Sequence, residues 1–457
     1  MNKLKFLILF FAALLIGCEK FLEVQPQGKV LPKTDSEFAA LLHNHINDVE
    51  GGDDMCIIGN FENIITYESF ADNLDANVKV GTIAAYAGEK INKLQTEYKD
   101  YFEIIRDCNI IIENLTSRET DLAKKTCATA FAIKGICYYN LIRTYCEPIG
   151  ANNSKLGIPI IEKFDMEEMP ERASIDETIT YCEKMLTKAI EYNITDDFFL
   201  ITKDITKAYL AKLYFWAQKW DECITICNEL MQIRAYKLAS IGEYPAMIQS
   251  KNGSGQEVIV RSHINNNSDI DWYYSYMLRE VKSRPVNYQL IKLFGDEKET
   301  DVRYSLSFDS KRINLKNTSS KVRGSELVLM LAESYYHKKE YDKALEQINY
   351  LRSNRISNAK IYTLNNLPEL DSNSVIKEDC TGEPISKLLS LILNERRKEL
   401  YMEGDRWFEL KRNGRPELWI ISNGLKYTTY KYLYTAPIYK GDIDINSKLI
   451  QNEGYIY

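Results

Sequence analysis

Apolar residues recur at helical spacing along two long stretches of the N-terminal half. In residues 100–115 they are Phe102, Ile105, Cys108, Ile112 and Leu115. In residues 123–145 they include Phe131, Ile133, Ile136, Leu141 and Ile142. Steps of three and four residues place these side chains on one face of a helix. The pattern therefore predicts two consecutive long helices that bury one face.

An irregular connection follows, and a third helix comes after it. Its breakers are Pro148, Gly150, Gly157, Pro159 and Pro170, which disfavour both helix and strand. Ser174 then stands three residues before Glu177. A serine and a glutamate at this spacing cap a helix N-terminus reciprocally. The sequence predicts a helix that starts here and ends near residue 192.

Two segments share one pattern of small and aromatic residues. The first contains Ala211, Tyr214, Trp220, Cys223 and Cys227, and the second contains Ala332, Tyr335, Tyr341, Ala344 and Ile348, with identical spacing. Each segment is predicted to be a helix, a tight turn at Gln218-Lys219 or Lys339-Glu340, and a second helix. Small residues let paired helices approach closely, as in a tetratricopeptide repeat.

The two units are separated by a stretch of different character. Residues 236–322 are rich in Asn, Ser, Gly and Tyr, with one short strand predicted at 257–261. We therefore predict a mostly α fold with tetratricopeptide-like units at about 97–230 and 323–355, not adjacent in one array. An irregular region of about 236–322 is inserted between them. Insertions in repeat arrays often carry the binding function.

The N-terminus resembles a bacterial export signal. Lys3 and Lys5 precede an apolar stretch over residues 4–16, which is too short to span a bilayer of about 30 Å as a helix. Leu15-Ile16-Gly17-Cys18 resembles a lipobox, so we predict a signal peptide at 1–17 and a mature chain, 18–457, lipidated at Cys18. The alternative is an ordinary signal peptide with a cysteine there by chance.

Charge and cysteine content narrow the classes of function. Removing the two lysines of residues 1–17 from 58 basic residues leaves 56 against 65 acidic residues, a net charge of −9. This balance disfavours nucleic acid, which is bound through Lys and Arg. With Cys18 on a lipid, nine cysteines remain, an odd number. We predict that those in helical patterns are small buried residues; they are Cys108, Cys127, Cys137, Cys182, Cys223 and Cys227.

Motifs for catalysis or a resident metal are missing from the sequence. It has no Gly-x-Ser-x-Gly elbow, phosphate loop or His-Glu-x-x-His motif. His43 and His45 stand two apart, on different faces of a helix. The acidic segment 72–77 lacks a full calcium-loop pattern and its closing glutamate, so a polar turn is favoured. We predict no catalytic residues, no metal and no cofactor.

The best ligand candidate is the polar and aromatic stretch 265–276. Sugar rings have apolar faces that stack on aromatic rings, and hydroxyl groups that need amide and carboxylate partners. This stretch supplies both kinds of group in Trp272, Tyr273, Tyr274, Tyr276, Asn267, Asp269 and Asp271. The alternative is that Trp272 and some of the tyrosines pack into the core, which is the usual place for large aromatic side chains.

Motifs near both ends of the chain resemble one known family. They are LNERRKEL at 393–400, EGDRW at 403–407, LKRNG at 410–414, YTAPI at 434–438, QNEGY at 451–455 and CEKFL at 18–22. The last third, about 388–457, is similar to the signature of the SusD/RagB-like family of outer-membrane lipoproteins. Tyr439, Ser447, Glu453 and Asn413 depart from its common residues, mostly at turns.

The resemblance implies a fold, an anchor, a partner and a ligand. It implies one SusD-like domain over 18–457, helical, anchored in the outer membrane by acyl chains such as palmitate. Its repeat units would pack on a SusC-like TonB-dependent transporter, and it would capture oligosaccharides at the cell surface, or peptides as some members do. The family places part of its site in the region from Asp72 and Asn73 to Tyr86.

Two further interpretations belong to other classes of protein. One is a helical scaffold that contacts only proteins, which the aromatic stretch around Trp272 disfavours. The other is a glycosidase, since Glu395, Glu399 and Glu403 are carboxylates at near-helical spacing. Arg396 and Arg406 alternate with them and can pair with them. Pairing with arginine lowers the pKa of a carboxyl group, whereas a general acid needs a raised pKa. A structural role is therefore favoured for these glutamates.

Overall fold

The computed structural model describes residues 32–77, 86–150, 156–165, 167–250, 255–262, 272, 275–276, 278–279, 281–318 and 321–455. The predicted signal peptide and Cys18 lie outside these residues. So do five predicted ligand residues, Asn267, Asp269, Asp271, Tyr273 and Tyr274. The described chain is mostly helical, as the hydrophobic pattern predicted.

Helices dominate both halves of the described chain. The first seven are α1 Asp35–Gly51, α2 Phe61–Phe70, α3 Ala87–Leu115, α4 Asp121–Tyr145, α5 Ile175–Glu191, α6 Lys203–Trp216 and α7 Trp220–Met231. The others are α8 Tyr244–Gln249, α9 Tyr288–Lys292, α10 Val302–Ser307, α11 Gly324–His337, α12 Tyr341–Ser353, α13 Lys387–Glu399, α14 Asp405–Arg412 and α15 Lys440–Ile445. Four short strands accompany them: β1 Val258–Arg261, β2 Lys321–Arg323, β3 Leu418–Ser422 and β4 Leu425–Thr429.

The predicted long helices are present, and α3 is longer than expected. It begins at Ala87 because Ile91, Leu94 and Tyr98 continue its buried face toward the N-terminus. The capping box before α5 is complete. The Glu177 N–H donates to Ser174 Oγ at 3.2 Å, and the Ser174 N–H donates to Glu177 Oε2 at 2.8 Å.

Both repeat units fold as helix–turn–helix pairs. The turns place Gln218 and Lys339 at equivalent positions, with φ of 59° and 63°. A left-handed residue here reverses the chain between α6 and α7, and again between α11 and α12. Small residues line the helix contacts, since Ala211, Ala332 and Ala344 are fully buried. Both segments therefore have the helix–turn–helix form that their spacing predicted.

The two units pack directly against each other, contrary to the expectation that they are not adjacent. Helix α7 packs on α11, where Asn228 Nδ2 donates to Tyr335 Oη at 3.3 Å and Lys338 pairs with Asp221 at 2.7 Å. Helices α3, α4, α5, α6, α7, α11 and α12 thus form one continuous stack. The two units are far apart in sequence but neighbours in space, because the insertion leaves and rejoins the stack at one place.

The insertion leaves and rejoins the stack of helices through a two-stranded antiparallel sheet. β1, confirmed at Val258–Arg261, pairs with β2 in the register Val260 opposite Val322. Between these strands the insertion builds a separate small core with α2 and the segment that follows it, joining Phe61, Leu74 and Val286. The insertion is therefore fastened to the N-terminal region as well as to the repeats.

A buried network of arginines and carboxylates holds the C-terminal signature in place. Its cations are Arg303, Arg323, Arg352 and Arg355, and its anions include Glu257, Asp301, Glu395, Glu399 and Glu403. Pairing inside the signature segment occurs, as in Arg396 with Asp405 at 2.5 Å. However, the three signature glutamates mainly face arginines from other elements, because this part of α13 is enclosed by them.

The described cysteines behave as small buried residues. All nine are free thiols in the protein interior, which confirms the prediction for the six in helices. None of the described helices combines the length and the apolar character that crossing a bilayer requires.

Candidate functional site

Trp272 and Tyr276 form an exposed aromatic pair. The described residues between 272 and 282 are helical, and a spacing of four places both rings on one helix face. The rings stack with centroids 5.7 Å apart and planes 17° from parallel. Trp272 is 69% exposed and Tyr276 45% exposed. These two aromatics therefore lie at the surface and not in the core.

A cavity of about 210 Å³ is lined in part by a later stretch of the insertion. Three segments remote in sequence form its main walls: residues 69–76 at the end of α2 and just after it, residues 284–287 of the insertion, and the start of β3. Tyr86, Ala87 and Val375 also line it. Asp72 and Tyr86, both predicted from the family resemblance, line this cavity. We name it the Trp419 cavity after the tryptophan on its hairpin wall.

Backbone hydrogen bonds fasten the insertion to the segment after α2. The Asp75 N–H donates to Pro285 O at 2.7 Å, and the Asn287 N–H donates to Asn73 O at 2.8 Å. Arg284, which is buried, donates to Ser69 O at 2.8 Å, and burial lowers the pKa of its guanidinium to about 10. Trp272 and Tyr276 precede Arg284 in the same insertion. The aromatic pair and this wall of the cavity therefore belong to one continuous segment of the chain.

The hairpin β3–β4 forms the third wall. The Ile421 N–H donates to Ala76 O at 2.8 Å, which joins β3 to the segment after α2. Trp419, on the same strand, is 44% exposed. Tyr86 packs against Tyr427 of β4, with ring centroids 4.6 Å apart. Aromatic side chains therefore border the cavity on two sides.

Asp72 and Asn73 already have partners within the protein. The Asp72 carboxylate accepts from Arg406 at 2.6 and 3.0 Å and pairs with Arg397 at 3.1 Å. Burial acts to raise its pKa, but the two arginines outweigh burial and hold the pKa well below its usual range. Asn73 accepts from Arg397 at 2.9 Å and donates to Glu68 at 2.9 Å. Ligand binding by this pair stays a prediction, while their observed contacts position the segment.

The chemistry available here is that of binding. Exposed indole and phenol rings offer flat apolar faces, and Asn287 and Glu417 add polar groups at the cavity. The carboxylates of the signature do not resemble a catalytic acid. Burial raises the pKa of Glu399, but Arg355, Arg323 and Arg303 together bring it well below its usual value. A general acid needs the opposite shift.

Sequence reasoning missed the hairpin and with it Trp419 and Tyr427. A signal was available, because Asn423-Gly424 lies between two runs of β-prone residues. Asn-Gly adopts the left-handed two-residue turn that suits a hairpin, and φ is 50° and 78° at these positions. Alternation along β3 then exposes Trp419 and Ile421 and buries Ile420.

Two family models match consecutive parts of the chain. The first, SusD-like and described as "Starch-binding associating with outer membrane", matches residues 20–215. The second, described as the SusD family, matches residues 248–455. The two matches together span most of the sequence, and residues 216–247 lie between them. A comparison with curated proteins found no match.

Solved structures of the SusD superfamily share the fold over their whole length. One from Bacteroides thetaiotaomicron aligns with a TM-score of 0.69 at 18% identity, covering 92% of this chain and 100% of that one. A SusD-like carbohydrate binding protein from Bacteroides vulgatus gives 0.66 at 16%, covering 92% and 98%. One from Bacteroides fragilis gives 0.68 at 16%, covering 92% and 100%. At these identities the similarity establishes the fold.

Proposed function

Because this chain belongs to the SusD/RagB-like family, one of whose models is described as starch-binding and associated with the outer membrane, we propose that it is a nutrient-binding lipoprotein that captures oligosaccharides. In this proposal it is lipidated at Cys18, sits at the outer membrane facing outward, and delivers its ligand to a SusC-like TonB-dependent transporter without transforming it. The family and the fold support a binding role, and the anchor, the transporter and the oligosaccharide are the proposed parts.

The observation that carries the ligand proposal is the exposed stacked pair of Trp272 and Tyr276. Exposed aromatic rings lose contact with water when a flat apolar face covers them, and the C–H face of a sugar ring is such a surface. We propose that Tyr273, Tyr274, Asn267, Asp269 and Asp271 extend this platform and supply polar partners for hydroxyl groups. The second part of the proposed surface is the Trp419 cavity, with Tyr86 in its lining.

Removing either exposed tryptophan should weaken oligosaccharide binding. We expect Trp272→Ala and Trp419→Ala each to reduce affinity by roughly 1–3 kcal/mol, by analogy with base–aromatic stacking. For Trp272 the melting temperature should barely change, since exposed substitutions usually alter stability by less than about 0.5 kcal/mol. Calorimetric titration with malto-oligosaccharides and a panel of other neutral oligosaccharides measures the affinity.

The matched control is Phe198→Ala, because Phe198 is also an exposed aromatic but lies between α5 and α6. The affinity of this variant for the oligosaccharide should equal that of the wild-type protein. If both tryptophan variants bind as tightly as the wild type, the proposed surface is wrong. Binding of a peptide pool but of no oligosaccharide would contradict the glycan proposal and favour the peptide-binding alternative.

The bound ligand should be returned unchanged. The Glu395 and Glu399 carboxylates are fully buried in ion pairs, so they are unsuited to protonate a glycosidic oxygen. Purified protein is incubated with the oligosaccharide that binds best, and products are separated by chromatography. Formation of more than one product molecule per chain would contradict a non-catalytic role.

A further inference from the structure

A glutamate, a histidine and a cysteine meet at the end of the second repeat unit. Glu333 and His337 are four residues apart in the last turns of α11, so they share one helix face. Cys380, on the connection between α12 and α13, completes the group. One possible ligand atom from each residue lies within 4.8 Å of the other two.

The distances suit a tetrahedral metal ion. Cys380 Sγ is 3.5 Å from His337 Nε2, and bonds of usual length to Zn²⁺ give an S···N separation of about 3.5 Å at the tetrahedral angle. Glu333 Oε1 is 4.0 Å from the same nitrogen. The expected O···N separation is about 3.4 Å, so the carboxylate has to move closer to the histidine before one of its oxygens can coordinate the ion.

One atom of this group has no partner among the described residues. Glu333 Oε2 is buried without a hydrogen bond, although Oε1 accepts from Arg412 at 2.6 Å. Leaving a buried acceptor unsatisfied usually costs about 1–3 kcal/mol. Because Arg412 holds Oε1, Oε2 is the carboxylate oxygen left for a metal ion, and its lack of a hydrogen bond is an observation independent of the distances above.

The surroundings hold the histidine and the cysteine in place. The indole of Trp220 stacks on the His337 ring at 4.5 Å and 12°, which fixes the ring plane. Gln218 Nε2 donates to Cys380 O at 3.0 Å. Asp379, next in the chain, accepts from Thr381 Oγ1 at 2.6 Å and closes the turn. Ligands held this way need little rearrangement to coordinate an ion.

The charges buried around the three residues are also compatible with a divalent cation. A coordinating thiol loses its proton to solvent. The negative charges of the thiolate, Glu333 and the buried Asp379 then offset the dication together with the Arg412 guanidinium.

We propose that Glu333, His337 and Cys380 bind a divalent transition-metal ion of the Zn²⁺ type, with a non-protein ligand such as water in the fourth position. A sulfur, a nitrogen and an oxygen ligand favour Zn²⁺ or Co²⁺ over Ca²⁺ and Mg²⁺, which prefer oxygen. The ion joins the connection around Cys380 to the end of the repeat stack. This site does not depend on the glycan surface proposed above.

Cobalt titration of the metal-free full chain tests the proposal. We expect one equivalent of Co²⁺ to give thiolate-to-metal charge-transfer absorption and the intense visible bands of a tetrahedral complex. Zn²⁺ should abolish these bands by competition, and excess Ca²⁺ or Mg²⁺ should leave them unchanged. Cys380→Ser should remove the charge-transfer band and weaken affinity at least about 100-fold, since even indirect neighbours of a metal account for 10–100-fold.

Cys127→Ser is the matched control. Cys127 is also a buried cysteine, and its sulfur already contacts the hydroxyl of Tyr192 at 3.3 Å, so serine fits and cobalt binding should be retained. X-ray absorption at the zinc edge of the wild-type protein adds a measurement that needs no variant. A spectrum without a sulfur ligand, or an unchanged charge-transfer band in Cys380→Ser, overturns the proposal.

Discussion

Replacing Glu399 with glutamine should lower the free energy of unfolding by about 3–5 kcal/mol, the usual consequence of removing one partner from a buried ion pair. Glu399 is fully buried at the end of α13. Its carboxylate pairs with Arg355 at 3.1 Å and Arg303 at 3.3 Å, and it also accepts from Arg323. Glutamine keeps the shape and removes the charge, which leaves three buried guanidinium groups without their shared anion.

Urea unfolding at pH 7 measures this loss. The control is Asp444→Asn, which removes an ion pair with Lys440 on the surface of α15. Surface pairs contribute about 0–1 kcal/mol, so this variant should unfold almost as the wild type does. If Glu399→Gln loses no more than the control, the network does not hold the signature segment in place.

The effect of Glu399→Gln should depend on pH in one direction. The folded-state pKa of Glu399 lies well below the ordinary value of 4.5, so the folded protein binds fewer protons here than the unfolded chain. The stability that the carboxylate supplies is then fully present above about pH 4.5 and is lost as the pH falls toward the folded-state pKa. The difference between wild type and variant should shrink on acidification, and a difference that grows would contradict this account.

Replacing Cys18 with alanine should abolish membrane attachment through the proposed anchor. Each buried methylene contributes about 0.8 kcal/mol, so several acyl chains on one cysteine hold a protein firmly and their loss releases it. Metabolic labelling with a fatty acid should mark the wild-type protein and not the variant, and the variant should appear in the soluble fraction after export.

Cys127→Ser serves again as the control, because it removes a thiol elsewhere and should leave both labelling and fractionation unchanged. Fatty-acid label on the Cys18→Ala protein would show that the lipobox assignment is wrong. Protease treatment of intact cells that carry the wild-type protein then tests whether it faces outward. If it does, the protease should digest it.

Local sequence patterns determined much of the secondary structure. Periodic apolar residues located α3 and α4, and the Ser174 capping box located the start of α5, because both signals depend on neighbours within one or two helical turns. The repeated spacing around Tyr214 and Tyr335 identified two helix pairs for the same reason. The family resemblance, carried by motifs near both ends of the chain, added the fold.

For the binding surface, the sequence alone identified single residues. It singled out Trp272 and Tyr276 because aromatic and polar residues cluster there, but it did not decide between surface and core. Exposure depends on which neighbours cover a side chain, and those neighbours come from elsewhere in the chain. The structure shows both rings at the surface.

The tertiary structure alone decided which distant residues meet. Trp419 joins Asp72 and Tyr86 at one cavity, and the two repeat units stack despite the insertion. Glu399 faces arginines from three other parts of the chain. Cys380 reaches Glu333 and His337 in the same way. Such contacts follow from how helices and loops pack in three dimensions, and a pattern read over a few turns carries no information about partners hundreds of residues away.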